Sequence, residues 1–415
     1  MCRILSELLK LITPKDATDL ILDSITEIKV GTEKVKTPES LGRVARKSYR
    51  SESILPSFDK SSVDGFSVRA QDTFGASDSL PQYLKVVGEV PMGQETELII
   101  SEGQAATTYT GGMLAGDADS VVMIEYTNRI DANTIEVTKP VAKGENVVFA
   151  GEDVKPLDEI LSSGHTIRPQ DIGALSALGI NELHVSQKPK VAIISTGDEL
   201  VSAESDPKLG QIRDLNTHTI SALVAQAGGI ACPIGIFKDE YELQLSAATN
   251  AMQDCDIIVF SAGSSVSNRD LTVKVFKALG KPGILAHGIA IKPGKPTILG
   301  LAQNKPLIGL PGNPVSALVV ADLLLKPVIR ALMDDINPLF RNQVSAFLTA
   351  DIPSRSGRED YVPVKLEDNA GVRDATPVFG KSNLIFTLVK SDGILRVPAD
   401  SAGLYKGQTV TVRMY

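Results

Sequence analysis

Cysteine is scarce and scattered. The 415 residues hold three, Cys2, Cys232 and Cys255, with no CxxC pair among them. Disulfide frameworks and zinc ribbons need close, matched spacings, so neither is expected, and isolated thiols fit a reducing compartment. The four histidines (His165, His184, His218 and His287) are equally dispersed and form no ligating cluster. Any block of lysine and arginine is missing too, and the formal net charge is -8. Bulk nucleic-acid binding needs clustered cations and is not expected, although a local basic pocket is compatible with that charge. No apolar run approaches the length of a membrane span. The opening stretch, MCRILSELLKLITPKD, carries Glu7 and Lys10 inside its apolar part, which is not a signal-peptide core. A cytoplasmic protein without membrane or nucleic-acid partners is the expectation.

What the chain has instead is punctuation. Glycine (34) and proline (23) are spread throughout, which implies many turns rather than a low-complexity segment. The length suits two to four domains. Residues 1–45 read as helical from Leu5, Leu8, Leu9 and Ile12, then Leu20, Ile21 and Ile25, with Pro14 separating two helices. Residues 46–138 read as β-rich, with short strands at 84–87, 98–100, 105–110, 120–125 and 134–137 between Gly, Pro and Asp. A helix over 172–178, closed by Gly179, makes 139–180 helical again. The β-rich segment is therefore expected as an insertion in a discontinuous helical linking domain, 1–45 with 139–180. Strands and helices alternate over 181–335, the rhythm of a parallel α/β domain with helices on both faces. Residues 336–415 are strand-rich and suit a small C-terminal β-barrel. The fold class is a multidomain α/β plus β chain.

The chemistry concentrates in 291–315, IKPGKPTILGLAQNKPLIGLPGNPV. Lys292 and Lys295 flank a stiff Pro-Gly turn, and Pro311-Gly312-Asn313-Pro314 opens a helix. Lysines on a rigid turn, beside free N–H groups at a helix start, suit a phosphate or another oxyanion. Two solvated hairpin turns are the alternative. Glu199 follows an apolar strand, Asp239 follows another, and the small-residue loop Ser261-Ala262-Gly263-Ser264-Ser265 follows a third, with Asp270 beyond it. Ligands of parallel sheets bind outside the carboxyl ends of strands, so these positions are expected along one edge. Asp239 with Glu242 also has the spacing of a capping box, and Asp270 could likewise cap a helix. In the β-rich segment Asp64 precedes Gly65 in a turn, and Thr110 opens a long loop that presents a hydroxyl and backbone N–H groups.

Eight motifs in order, SSVDGFSV, TYTGGMLAGDADSVVMIE, ENVVFAGEDV, RPQDIGALSALGI, VAIISTGDELV, GQIRDLN, IKPGKP and LPGNPVSAL, span nearly the whole chain. Together they resemble the MoeA-type molybdopterin molybdenumtransferases, bacterial relatives of the gephyrin E domain. The resemblance implies an elongated homodimer of four-domain subunits whose α/β domain is of molybdopterin-binding type. It implies an enzyme that inserts molybdenum from molybdate into adenylylated molybdopterin, with Mg2+-dependent release of AMP. A molybdopterin adenylyltransferase would supply the substrate and molybdoenzymes would accept the product. Carried over by motif, Asp270, Asp239, Asp64, Lys292 and Lys295 are the catalytic candidates, with Asp239 and Asp270 as magnesium ligands. Thr110, Glu199, Ser261, Gly263, Ser264, Pro311, Asn313, Arg358, Ser382 and Asp153 are the binding candidates. Asp64, Thr110 and Asp153 match positions near a cleft shared between subunits. Ala262 and Ser267 stand where the family usually has glycine, so a need for positive φ at either would add strain. A tungstate-preferring paralogue and a non-catalytic pterin-binding scaffold are the competing readings; the retained lysines and carboxylates favour the enzyme.

Overall fold

The structure, a computed structural model, describes residues 11–262, 266–339, 342–369 and 371–415. The chain divides into two compact units. The larger comprises the described parts of Met1–Lys47, Ser163–Pro169 and Glu182–Tyr415; the smaller comprises Ser48–Ser162 and Gln170–Asn181.

The larger unit is built on a six-stranded sheet. Its spatial order is Ile230–Phe237, Lys190–Thr196, Ile257–Ala262, Lys305–Pro311, Ile298–Ala302 and Pro282–His287. The first four strands are parallel; Ile298–Ala302 joins antiparallel through the hairpin at 303–304, and Pro282–His287 pairs antiparallel with it in turn. Alternation along the strands explains why both faces are covered. Val191, Ile193, Ile257, Val259, Ile308 and Leu310 point into one core, with Ile220 and Val224 of the helix Asn216–Gln226 and the helical run from Pro314 to Leu332. Ala192, Ile194, Ile258, Phe260 and Leu307 point into the other, against the helices Tyr241–Asp254 and Val266–Leu279. Phe260 and Phe276 meet edge to face there, with centroids 5.5 Å apart.

The N-terminal helix is shorter than its spacing predicts. It runs Pro14–Ser24, starts at Pro14 with Thr13 Oγ1 accepting from the Asp16 amide at 3.0 Å, and buries Ala17 and Ile21. The helix expected before Pro14 lies mostly outside the described residues. Beyond Ser24 the chain is not helical: Thr32–Lys36 is a strand paired antiparallel with Glu182–Ser186. Strand Glu359–Asn369 pairs with both Val372–Pro377 and Gly393–Val397. Gln343–Leu348 and Thr409–Met414 complete the circuit, a closed five-stranded barrel.

The smaller unit holds a six-stranded sheet ordered Ser120–Met123, Gly65–Val68, Gln104–Thr108, Gln82–Glu89, Thr134–Val137 and Thr127–Arg129. The run 98–100 expected as a strand makes only a single bridge, Ile99 to Gly116. Gly65 is obligatory: a Cβ there would lie 1.9 Å from the Val122 carbonyl oxygen of the neighbouring strand. The helix expected at 172–178 runs Pro169–Ala177, with Gly179 at φ +71 after it.

Candidate active site

Pairing of two very short segments builds the main cleft, which lies within the larger unit. Ile291–Lys292 runs parallel to the start of Glu359–Asn369, setting Lys292 opposite Asp360. The turn after Lys292 needs glycine. Gly294 sits at φ +120, a Cβ on it would lie 2.5 Å from Val320 Cγ2, and Thr297 Oγ1 donates to its carbonyl at 2.7 Å. Lys295 follows this turn. At the end of strand Lys305–Pro311, Asn313 Nδ2 donates to Ser382 Oγ at 2.9 Å and the Val315 amide donates to the Ser382 carbonyl at 3.1 Å. The result is a cavity of about 890 Å³ lined by Lys292, Lys295, Pro311, Asn313, Arg358 and Ser382, all six expected from the sequence.

The charge of this cleft is predominantly positive. Among the described residues Lys292, Lys295, Arg355, Arg358 and Lys381 line it, against the single acid Asp360, so five positive charges less one leave +4. Asp360 has 3% of its side chain exposed and lies 3.5 Å from Lys292 Nζ and 2.8 Å from Arg358 Nε. Among the described residues Lys295 pairs with no carboxylate. A cleft with that balance carries a potential that favours anions.

A second group lies along the carboxyl ends of the parallel strands. Register sets Thr196 level with Phe237 and with Ala262, and Ala262 level with Pro311. At ~4.8 Å per strand, the edge from Asp239 to Asn313 spans roughly 15 Å. The Asp239 amide donates to Asp198 Oδ1 at 3.3 Å, and the Glu199 carboxylate lies over Gly197. Ser261 Oγ accepts from Asn216 Nδ2 at 2.8 Å, and the same amide group donates to the Gly312 carbonyl at 2.8 Å. Buried Asn216 thus ties the second strand-end loop to the fourth.

Neither aspartate serves as a helix cap. The helix Tyr241–Asp254 has Glu240, not Asp239, at its N-cap, with no side-chain capping bond. Asp270 is an exposed residue inside the helix Val266–Leu279, not before it. The Gly263 and Ser264 candidates lie outside the described residues. Ala262 ends its strand and Ser267 is helical, so neither departure from glycine occupies a left-handed backbone.

The smaller unit brings two candidates together. Asp64 Oδ1 accepts from the Thr110 amide at 2.8 Å and from Thr110 Oγ1 at 2.9 Å. Both donors favour the charged carboxylate, the amide more than the hydroxyl, and hold Asp64 below its ordinary value. Asp153 is exposed, and its amide donates to the Leu55 carbonyl at 3.0 Å.

Sequence reasoning missed Asp360, Arg355, Lys381 and the bridging role of Asn216. Asn216 had a signal in its motif, GQIRDLN. Asp360 had only the adjacent Gly357-Arg358-Glu359.

Residues 12–179 match the MoeA N-terminal region (domains I and II), 192–331 the probable molybdopterin-binding domain, and 345–414 the MoeA C-terminal region (domain IV). A putative molybdopterin biosynthesis protein of Methanocaldococcus jannaschii is 34% identical, over 98% of this chain and 99% of its own length. A molybdopterin molybdenumtransferase of Bacillus subtilis is 30% identical, over 92% of this chain and 89% of its own. The crystal structure of a MoeA molybdopterin biosynthesis protein from Pyrococcus horikoshii superposes with a TM-score of 0.84 at 33% identity, covering 98% of this chain and 100% of that one. With the three regions matched in order and the similarity running end to end, the chain belongs to the MoeA family.

Proposed function

We propose that this protein takes molybdate and adenylylated molybdopterin, releases AMP and leaves molybdenum on the pterin dithiolene. As a MoeA-family molybdopterin molybdenumtransferase it acts in molybdenum cofactor biosynthesis. The observation that carries the finer reading is the cleft of net charge +4, in which six residues expected from the sequence meet. Molybdate is a dianion and needs fixed positive charge in a shaped pocket. Lys292, Lys295 and Arg358 supply that charge. Ser382 supplies a directed donor: its oxygen accepts from Asn313, which leaves the hydroxyl proton for an oxyanion.

Asp239 and Asp270 would hold magnesium. Their carboxylates suit a hard cation that keeps waters and shares a substrate's phosphates. Bound there, magnesium would offset the charge that develops as the phosphoanhydride opens. Asp64 stays ionised beside Thr110, and with Asp153 it would act at a cleft shared between subunits, as the family resemblance implies. Glu199, Ser261 and Pro311 complete the substrate contacts, with Gly263 and Ser264 proposed from the motif alone. The working form is a homodimer, in the cytoplasm. The four-part division, 1–45 with 139–180, 46–138, 181–335 and 336–415, remains the proposed domain plan.

The test is AMP release from adenylylated molybdopterin with magnesium, and with molybdate or tungstate in parallel. Release that depends on the oxyanion is expected, abolished in Asp270→Ala and Lys295→Ala variants that keep the wild-type fold. Tight pterin binding with no AMP release would replace the enzyme with a scaffold.

A further inference from the structure

We propose that Asp360 is the positioning residue of the basic cleft: it turns Arg358 so that the outer edge of the guanidinium, with Lys292 beside it, receives a tetrahedral oxyanion. The inference rests on reading the cleft as an oxyanion site. Arg358 Nε donates to Asp360 Oδ1 at 2.8 Å, and Nη2 donates to Oδ2 at 3.5 Å. Arginine carries five N–H donors in a rigid fork, so the inner edge is spent on Asp360. Both Nη1 donors and one on Nη2 remain. That outer pair can take two oxygens of one anion in parallel. Lys292 Nζ lies 3.5 Å from the same carboxylate, on a side chain 60% exposed. Asp360 is itself held in place by the ladder that pairs it with Val397 and Lys292.

Charge counting alone gives the opposite expectation. Among the described lining residues Asp360 is the one acid beside five bases, so removing it raises their balance from +4 to +5. If it only damped the field, Asp360→Asn would bind a dianion more tightly. If it positions the fork, the same variant binds more weakly despite the added net charge.

The test is calorimetric titration of the full chain with sodium molybdate. We expect Asp360→Asn to lose at least tenfold in affinity, and Arg358→Lys, which keeps the charge but not the fork, to lose a similar factor. The double variant should bind no worse than Arg358→Lys alone, because Asp360 acts through Arg358. Asp360→Glu keeps the buried charge and covers the case in which Asp360→Asn does not fold. It shifts the carboxylate by one methylene and should lose several-fold. Equal or tighter binding by Asp360→Asn, unchanged affinity in Asp360→Glu, or losses that add in the double variant would each overturn the inference. Wild-type protein that binds no molybdate would instead overturn the oxyanion reading of the cleft.

Discussion

The two lysines of the IKPGKP turn should not contribute equally. Lys292 lies 3.5 Å from Asp360, so part of its field is already neutralised before any ligand arrives. Lys295 lines the same cavity without an acidic partner among the described residues. A hydrogen bond to a charged group contributes ~1.5–3 kcal/mol. At ~1.4 kcal/mol per decade, losing one costs roughly 10- to 100-fold in Kd. We expect Lys295→Ala to fall in that range for molybdate. Lys292→Ala should cost only a few-fold, because it also releases Asp360 to bind Arg358 alone. The assay is the same titration at low and high salt. Both losses should shrink as salt screens the cleft, and Lys295→Arg should recover most of the affinity. Wild-type affinity in Lys295→Ala, or a larger loss in Lys292→Ala, would refute the charge accounting.

Three further outcomes follow from single contacts. The Asp64 carboxyl should titrate below 3.8 by NMR, and Thr110→Val, which removes the hydroxyl but not the amide donor, should return it part of the way. Because the folded value is depressed, the stabilisation is present above the unfolded pKa and is lost as pH falls through the folded one; the contact should thus persist at neutral pH and fail only in acid. Gly65→Ala would set a Cβ 1.9 Å from the Val122 carbonyl oxygen, where ordinary contact begins at 3.4 Å, so we expect ~1–3 kcal/mol of destabilisation or more, read as a lower thermal midpoint. Lys305 Nζ donates to the Met252 and Cys255 carbonyls at 2.6 and 2.8 Å, closing the helix Tyr241–Asp254, and Lys305→Met should cost ~1–3 kcal/mol in a urea titration.

The α/β region was the most legible because its strands are buried on both faces. The strands expected at 191–195 and 256–260 are observed as Lys190–Thr196 and Ile257–Ala262, within a residue or two at each end. The lysines were legible because proline and glycine fix their turn locally. Residues 26–45 were not: their one strand, Thr32–Lys36, is held by Glu182–Ser186, and its exposed, charged residues give no period. The same holds for 98–100, apolar enough for a strand but joined to its neighbour by one bridge. Asp360 was hidden for a sharper reason. It lies in EDYVPVKLEDN, where an acid next to Glu359 reads as solvated. Its burial follows from a two-residue pairing with Ile291–Lys292, far too short to leave a pattern in either segment.

Local spacing misled in one instructive place, and the correction bears on function. Asp239 followed by Glu242 has the form of a capping box, which by itself would assign Asp239 a purely structural duty. In the fold the N-cap is Glu240, so the capping role that the spacing offers Asp239 is not taken up. Asp270 could have been excused as a cap as well, yet it sits inside its helix with its side chain exposed, where a cap has no free N–H to satisfy. An aspartate within a helix is mildly unfavourable by propensity, and local structure offers no compensation of the capping kind. For Asp270 the capping alternative falls away, and the role its motif implies is the one proposed. Replacing Asp270 with asparagine should therefore leave the unfolding midpoint nearly unchanged while removing magnesium-dependent AMP release. A loss of stability comparable to that of a missing cap, ~1 kcal/mol, would return it to structure.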